Sequence, residues 1–295
     1  MIIDCSITQQ SLIQSYLTHS VAPRPICFAS TVNKAGQINL SPFSYFNIAS
    51  GTPPVLMFSV LRRVRDNTTK HTLENICEVP EVAINIVTKD MVQQTSLASC
   101  EYAKGVNEFD KAGFTMQVGK YIIPPLVKES KIKIECKVVD VKSFGNHGGA
   151  GQVIFAEALC LHIDESIMDS KGMIDQTKLT LVARLGADWY CAVRPDNLFE
   201  VAKPNKELGI GVDQLPKHIR NSSILTGNNL GQLANVQTIP NVDPAFNDEK
   251  LKTIFQYYSI NPSEMEKEIQ FYAKELLEKN KVREAWQVLL ANYAD

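Results

Sequence analysis

Alternation of charged and apolar residues marks the middle of the chain. Residues 131–138 read Lys-Ile-Lys-Ile-Glu-Cys-Lys-Val, and alternation resumes over 152–163. A period of two gives a strand one buried face and one face in water, as in an antiparallel sheet. The glycine-rich segment 144–151 between the two runs predicts a turn. We therefore predict a long antiparallel hairpin in this region.

Helical spacing occurs in other stretches. Residues 69–77 and 89–99 have helical character, which predicts two helices between strands. Near the C-terminus, apolar residues recur at i, i+3, i+4 and i+7, which predicts helices over 248–258 and 263–293. The residues at 263–266 have the order expected of a capping box.

The segment 201–244 shows little periodicity. Asn, Gly and Pro are frequent there, and apolar residues such as Leu215 and Leu233 are isolated. Its length exceeds that of an ordinary loop, so we predict an extended connection that packs along the preceding domain or across a partner subunit. The chain then divides into a strand-rich domain, residues 1–200, and a second part, residues 201–295, that ends in helices.

A short apolar run over 25–32 ends in small hydroxyl side chains. Ser30 and Thr31 lie near the end of this run, and the segment 34–37 supplies a turn through Gly36. Hydroxyl groups and free backbone N–H groups at a strand end suit a phosphate monoester, whose oxygens accept several converging hydrogen bonds. We therefore predict a phosphate contact at Ser30 and Thr31.

Prolines shape the following segment. Pro42, Pro53 and Pro54 fix φ and remove backbone donors, which argues against an uninterrupted helix or a central strand. Aromatic residues alternate there with small polar ones, a mixture that suits a wall against a planar heteroaromatic ring. The alternative is a core loop in which the aromatic side chains only pack.

A second candidate phosphate contact lies at the start of the helix predicted over 69–77. Lys70 falls at that start, where unpaired N–H groups and the helix dipole favour an anion. The hydroxyl of Thr72 could complete the same site. A solvated lysine and an ordinary helix-start threonine are the alternative interpretation.

Composition narrows the classes of function. The formal net charge of −2 over 295 residues argues against a nucleic-acid partner. There is neither a signal-peptide pattern nor an apolar stretch of membrane-spanning length, so we expect a cytoplasmic protein with no membrane partner. The 7 cysteines are scattered and lack zinc-ligand spacing, so neither a disulfide framework nor a metal site is predicted.

Taken together, these motifs resemble the flavin reductase-like family, whose members have an FMN-binding split barrel. The resemblance covers about the first two-thirds of the chain, and one departure is His71, where the family commonly has an aspartate. The matching motifs include Pro23-Arg24-Pro25, Ser30-Thr31, Asn39-Leu40-Ser41-Pro42-Phe43-Ser44-Tyr45-Phe46-Asn47, Pro53-Pro54, Lys70, Thr72 and the late Arg184-Leu185-Gly186.

The resemblance implies a fold, a cofactor and an assembly. The fold is mainly β with helices: an antiparallel FMN-binding split β-barrel over residues 1–200 with a C-terminal helical extension over 201–295. FMN is expected at a homodimer interface, with NADH or NADPH as reductant. The expected cofactor-binding residues are Ser30, Thr31, Val32, Ser44, Tyr45, Phe46, Asn47, Ser50, Ser59, Lys70 and Thr72.

Flavin chemistry leaves few chemical steps to protein side chains. Hydride transfer from nicotinamide to flavin needs stacked rings and no protein nucleophile, because the cofactor carries the reactive atoms. We therefore assign no catalytic residue. The leading interpretation is an NAD(P)H-dependent flavin reductase that supplies a monooxygenase or another electron-accepting partner. Two alternatives stay open: an FMN electron carrier serving a protein partner, and a non-redox binding protein on the same scaffold.

Overall fold

The computed structural model describes residues 1–203 and 207–291. The chain divides into two compact units, Met1–Phe199 and Glu200–Asp295. Among the described residues, none of the helices combines the length and the hydropathy of a membrane span.

The first unit is built on antiparallel strands. The strands are β1 (Arg24–Pro25), β2 (Cys27–Val32), β3 (Ile38–Phe43), β4 (Phe46–Gly51), β5 (Pro54–Leu61), β6 (Glu81–Ile86), β7 (Met116–Gln117), β8 (Leu126–Val127), β9 (Ile132–Ser143), β10 (Gly151–Ile163), β11 (Val182–Arg184) and β12 (Tyr190–Ala192). Seven of these strands form one sheet in the order β3-β2-β6-β9-β10-β5-β4, and two small sheets, β1-β11-β12 and β7-β8, accompany it. This arrangement confirms the predicted mainly antiparallel fold.

Local sequence signals account for much of this sheet. The hairpin predicted from alternation is confirmed, because β9 and β10 pair antiparallel along most of their length. Gly36, with φ of +80°, forms the turn predicted between β2 and β3. The prolines occupy positions that a sheet tolerates: Pro42 lies in the edge strand β3, and Pro54 is the first residue of β5.

Short helices connect the strands of the first unit. The helices are α1 (Gln10–Ser20), α2 (His71–Glu78), α3 (Val92–Leu97) and α4 (Glu108–Ala112), with 3₁₀ turns at Lys89–Met91, Glu165–Ile167, Gln176–Lys178 and Pro195–Asn197. Helix α2 confirms the predicted start, because Lys70 is its N-cap residue. Helix α1 is absent from the sequence prediction and buries none of its residues.

Both faces of the large sheet are covered at β2. Successive side chains of a strand point to opposite faces. Cys27 and Ala29 belong to a buried cluster with Phe58, whereas Phe28 belongs to a second cluster with Phe109. Every residue of β2 is therefore buried, and the strand reads as an almost continuous apolar run.

A buried carboxylate anchors the loop that precedes β8. Glu135 of β9 accepts hydrogen bonds from the backbone N–H groups of Lys120 at 2.8 Å, Tyr121 at 2.6 Å and Ile122 at 3.0 Å. Nε2 of His162 lies 2.5 Å from Oε1 of the same carboxylate. Burial by itself would raise the pKa of Glu135, but these hydrogen bonds outweigh it and hold the pKa below its ordinary value. Glu135 therefore anchors the loop as an ionised group.

The second unit is helical. Its core is a single apolar cluster in which Trp286 is fully buried, and the indole N–H of Trp286 donates to the carbonyl oxygen of Leu233 at 3.2 Å. The helices are α5 (Lys217–Arg220), α6 (Gly227–Ala234), α7 (Glu249–Tyr257), α8 (Pro262–Glu278) and α9 (Val282–Leu290), with a 3₁₀ turn at Val212–Gln214.

The segment 201–244 differs from the predicted extended connection, because α5 and α6 lie within it. These helices have 4 and 8 residues, too few for a helical period to stand out in the sequence. The isolated apolar residues, Leu215 and Leu233 among them, are buried in the same cluster as the C-terminal helices. The expectation that residues 201–295 pack on the barrel or its dimer stays a prediction.

The C-terminal helices follow the predicted pattern with two differences. Helix α7 confirms the helix over 248–258, but the stretch 263–293 contains two helices, separated near Asn280 with φ of +57°. The cap of α8 is Asn261, whose side chain accepts from the N–H of Glu264 at 3.3 Å, and not a capping box at 263–266. The last predicted helical residues, 292 and 293, lie outside the described residues.

Candidate functional site

A cavity of about 490 Å³ opens in the first unit. This volume lies within the range of about 300–1,000 Å³ typical of small-molecule sites. Segments far apart in sequence form its walls. The lining residues are Ser11, Gln14, Ser15, Thr18 and His19 from α1, Arg24, Pro42, Phe43, Ser44, Tyr45, Ser59 and Leu61 from the strands and their ends, and Lys70, Arg184, Leu185 and Ala187.

The cavity is positively charged. Lys70, Arg24 and Arg184 contribute cationic side chains, and none of the described residues lining the cavity is acidic. Within the part of the chain that the structure describes, these three side chains form no ion pair. An anionic ligand would therefore meet positive charge that no carboxylate of the described cavity lining compensates.

Lys70 combines a cationic side chain with a helix start. Its Nζ lies 5.6 Å from the centre of the Phe43 ring. Burial, and then the neighbouring Arg63, lowers the pKa of Lys70. A bound anion would act in the opposite direction, because it favours the charged form of the amine. Lys70 and the first N–H groups of α2 are thus suited to an anionic group.

Arg24 ties three parts of the cavity together. Its Nη1 donates to the carbonyl oxygens of Thr18 at 2.5 Å and Val21 at 2.7 Å, and its Nη2 donates to that of Leu185 at 2.8 Å. The guanidinium lies 6.0 Å from the centre of the Tyr45 ring. Nε is buried and has no hydrogen-bond partner among the described residues. Arg24 therefore holds α1, the loop after β11 and the β3–β4 turn around one cavity.

Four of the residues predicted to bind the cofactor line this cavity. They are Ser44, Tyr45, Ser59 and Lys70. The backbone N–H of Ser59 donates to the carbonyl oxygen of Tyr45 at 2.8 Å, which brings β5 and the β3–β4 turn together. The side-chain hydroxyls of Ser44 and Ser59 make no hydrogen bond within the described residues, so both are available to a ligand.

Ser30, Thr31 and Val32 do not reach the cavity. All three are buried at the end of β2, where Ser30 pairs with both β3 and β6 and the other two pair with β3. Thr31 accepts a hydrogen bond from Asn75 Nδ2 at 3.2 Å. The predicted grouping of Ser30 and Thr31 with Lys70 is therefore not found in this cavity, and their role in cofactor binding stays a prediction.

The triplet 70–72 points in three directions. Lys70 lines the main cavity, while His71 lines a separate small cleft with Asn39 and Asn75. Thr72 is buried and donates its hydroxyl to Oδ1 of Asn39 at 2.6 Å, so it does not join Lys70 in one site. Burial, and then Arg63, lowers the pKa of His71, which favours the neutral ring. His71 therefore does not replace the negative charge of the family's aspartate.

Phe46, Asn47 and Ser50 lie on β4, beside the cavity lining but not part of it. Strand β4 pairs with β5 on one side and is the edge of the described sheet on the other. Its outer backbone groups are therefore free of strand partners within the described residues. Contact between these amides and a ring edge stays a prediction.

Sequence reasoning missed the contribution of α1 and the meeting of distant basic residues. Ser11, Gln14, Ser15 and Thr18 follow the spacing i, i+3, i+4 and i+7, and this polar stripe is the signal that marks them. Arg24 and Arg184 both belong to motifs visible in the sequence. Their common cavity is not visible there, because it depends on the pairing of β1 with β11.

Comparisons with known proteins agree with one another. The family model of the flavin reductase like domain matches residues 19–166. An uncharacterized protein of Aquifex aeolicus is 37% identical over 171 residues, which cover 58% of this chain and 84% of the relative. The structure of nitrilotriacetate monooxygenase component B from Bacillus cereus matches with a TM-score of 0.64 and 26% identity, covering 68% of this chain and 98% of that one. Flavoredoxin of Desulfovibrio vulgaris, at 18% identity and a TM-score of 0.53, shares the fold and covers 70% of this chain and 98% of its own.

Proposed function

The chain belongs to the flavin reductase-like family, and from this premise we propose that it is an FMN-binding enzyme that reduces flavin with NADH or NADPH. Family membership confirms the resemblance seen in the sequence and supports a flavin-related oxidoreductase function. The use of a nicotinamide nucleotide and the placement of FMN in the cavity described above are the finer parts of the proposal.

The observation that carries the proposal is the group of cationic side chains in a cavity whose described lining holds no carboxylate. FMN ends in a phosphate monoester, which is anionic and accepts several hydrogen bonds. Lys70 and Arg184 supply charge, and Ser44 and Ser59 supply free hydroxyls. The buried Nε of Arg24 is a further donor without a protein partner among the described residues. The residues present therefore fit the chemistry of FMN.

Each of these side chains has a binding role in the proposal. When bound, FMN supplies the atom that accepts hydride, so the protein needs no nucleophile of its own. Lys70 binds the phosphate, and Ser44 and Ser59 hydrogen-bond the hydroxyl-bearing chain of the flavin. The half-exposed ring of Tyr45 offers an aromatic surface. Orientation by such contacts lowers the entropic cost of bringing two rings together.

Anaerobic mixing with reduced nicotinamide tests the proposed activity. We expect the visible absorbance of the FMN-loaded protein to bleach when NADH or NADPH is added, because hydride passes to the bound flavin. Dithionite, which reduces flavin without a nucleotide site, is the control. Bleaching by dithionite but by neither nucleotide would contradict the reductase proposal and favour an electron carrier. Failure to bind FMN would favour a non-redox protein.

Lys70→Ala tests the assignment of the phosphate. We expect FMN affinity to fall by about 10- to 150-fold, which corresponds to about 1.5–3 kcal/mol, the usual scale of a hydrogen bond to a charged group. Riboflavin lacks the phosphate, so its affinity should not change. Fluorescence titration of the apo-protein measures both.

Lys89→Ala is the matched control for this titration, because Lys89 is exposed at the start of a 3₁₀ turn and does not line the cavity. Equal losses for FMN and riboflavin in Lys70→Ala, or an equal loss of FMN affinity in both variants, would remove Lys70 from the phosphate site.

Two features of the assembly complete the proposal. Exposed apolar side chains, such as Ile48 at 70% and Leu161 at 56%, support a homodimer, whose mass light scattering measures. The similarity to component B of a monooxygenase supports an electron-accepting partner that uses the reduced flavin. A cytoplasmic location stays a prediction.

A further inference from the structure

Helix α1 buries none of its residues and turns a polar stripe towards the cavity. Its polar residues Ser11, Gln14 and Ser15 line the cavity. Its apolar residues Leu12 and Leu17 are 43% and 55% exposed. A helix on the surface of a globular protein ordinarily turns its apolar stripe inwards. The polar face of α1 therefore serves the cavity and not the packing of the protein core.

The helix is held over the cavity at its C-terminal end. Arg24 donates to the carbonyl oxygens of Thr18 and Val21, which a cation at a helix C-terminus also stabilises electrostatically. Gly186 lies beside the same end of the helix, because a Cβ atom there would lie 2.2 Å from Cδ2 of the exposed His19. The early motif with Arg24 and the late motif with Gly186 thus meet at one end of α1.

The polar side chains that α1 presents to the cavity are uncharged. The side chains of Ser11, Gln14 and Ser15 form no hydrogen bond within the described residues, whereas Thr18 donates its hydroxyl to the carbonyl oxygen of Ser15 at 3.0 Å. Two hydroxyls and one carboxamide can each donate and accept. Such groups are better suited to bind sugar hydroxyls and a carboxamide than to bind phosphate. Phosphate is better bound by the cationic residues elsewhere in the cavity.

We propose that the α1 wall, defined by Ser11, Gln14 and Ser15, recognises the ribose and carboxamide of the hydride-donating nucleotide. This inference rests on the proposed function, in which the strand side of the cavity, with Ser59 and Lys70, holds FMN. A hydride donor must lie against the flavin in the same cavity, and α1 supplies the remaining polar lining. Arg24 is then a positioning residue, because it holds the end of α1 through its hydrogen bonds to the carbonyl oxygens of Thr18 and Val21.

A double variant on the cavity face, Gln14→Ala with Ser15→Ala, tests the wall. Alanine favours a helix, so α1 is retained. We expect the nucleotide concentration that gives half-maximal bleaching to rise about 5- to 50-fold, while the bleaching rate at saturation and FMN affinity change less than about twofold. The matched control is Gln10→Ala with Ser20→Ala, the same residue types on the same helix but outside the cavity lining.

Titration with NAD⁺ and NADP⁺ separates this inference from the proposed activity, because it needs no reaction. Nucleotide binding that is weakened in the Gln14→Ala/Ser15→Ala variant and kept in the control supports the α1 wall even if no bleaching occurs. A loss of FMN affinity in that variant would show that the wall recognises flavin instead. Unchanged nucleotide binding, or no nucleotide binding by the wild type, would overturn the inference.

Discussion

Replacing Glu135 by alanine is expected to lower the free energy of unfolding of the first unit by about 3 kcal/mol or more. The buried carboxylate accepts from three backbone N–H groups, one buried and two partly buried, and each hydrogen bond to a charged group contributes about 1.5–3 kcal/mol. Urea unfolding followed by circular dichroism measures the loss. Glu129→Ala is the control, because Glu129 is exposed and, among the described residues, accepts hydrogen bonds from the N–H of Thr115 alone. Equal losses in the two variants would contradict the anchoring role of Glu135.

The same variant gives a pH dependence of known sign. The folded pKa of Glu135 is lower than its ordinary value of 4.5, so the carboxylate stabilises the fold fully above that value. Its contribution is lost as the pH falls through the lower, folded pKa. The difference in unfolding free energy between wild type and Glu135→Ala should therefore shrink as the pH falls below about 4.5. A difference that grows below that pH would contradict this sign.

Trp286→Ala is expected to lower the free energy of unfolding of the helical unit by about 3–5 kcal/mol, the usual cost of removing a fully buried aromatic side chain. The indole is fully buried and donates to Leu233, so its loss leaves both a cavity and an unpaired carbonyl oxygen. The other tryptophan of the chain, Trp189, is 73% exposed and provides the control. Trp189→Ala should cost less than about 0.5 kcal/mol. Comparable losses would contradict the burial described for Trp286.

The FMN affinity of Trp286→Ala also bears on the C-terminal region. The sequence predicts that residues 201–295 pack on the barrel or its dimer. A fall in FMN affinity together with the loss of the helical unit would support that prediction. Unchanged affinity would indicate that the helical unit has a role apart from the flavin.

The parts of the fold that follow from the sequence are those with local signals. Polar and apolar residues alternate along β9 and β10, because one face of the hairpin is exposed to solvent. Helix α2 was predictable from its apolar side and from the position of Lys70 at its start. Helices α5 and α6 were not, because the core that holds Leu215 and Leu233 in place forms from segments distant in sequence.

The candidate site was predictable only in part, for the same reason. Ser44, Tyr45, Ser59 and Lys70 are among the cofactor-binding residues that the family resemblance implies, and they line the cavity. Their contact with FMN stays a prediction. Ser30 carries a hydroxyl near the end of an apolar run. The same sequence pattern is expected at a free strand end and in a strand that is paired on both sides. Only the pairing of β2 with both β3 and β6 separates the two cases.

His71 stands where the family commonly has an aspartate, and its side chain does not line the main cavity. His71 lies in a cleft with Lys104 and Asn75, away from Lys70. Glu74 forms an ion pair with Lys104 at 2.7 Å, so its charge is already partnered. His71 therefore belongs to the lining of the small cleft and not to that of the main cavity.

A crystal structure of the protein with FMN tests the central claim most directly, because the claim is that this cavity is the flavin site. We expect flavin density in the cavity lined by Ser44, Tyr45 and Ser59, with the phosphate within hydrogen-bond distance of Lys70 Nζ. Flavin density elsewhere, for example with its phosphate in the cleft beside His71, would contradict the claim, as would a saturated complex that leaves the cavity without flavin.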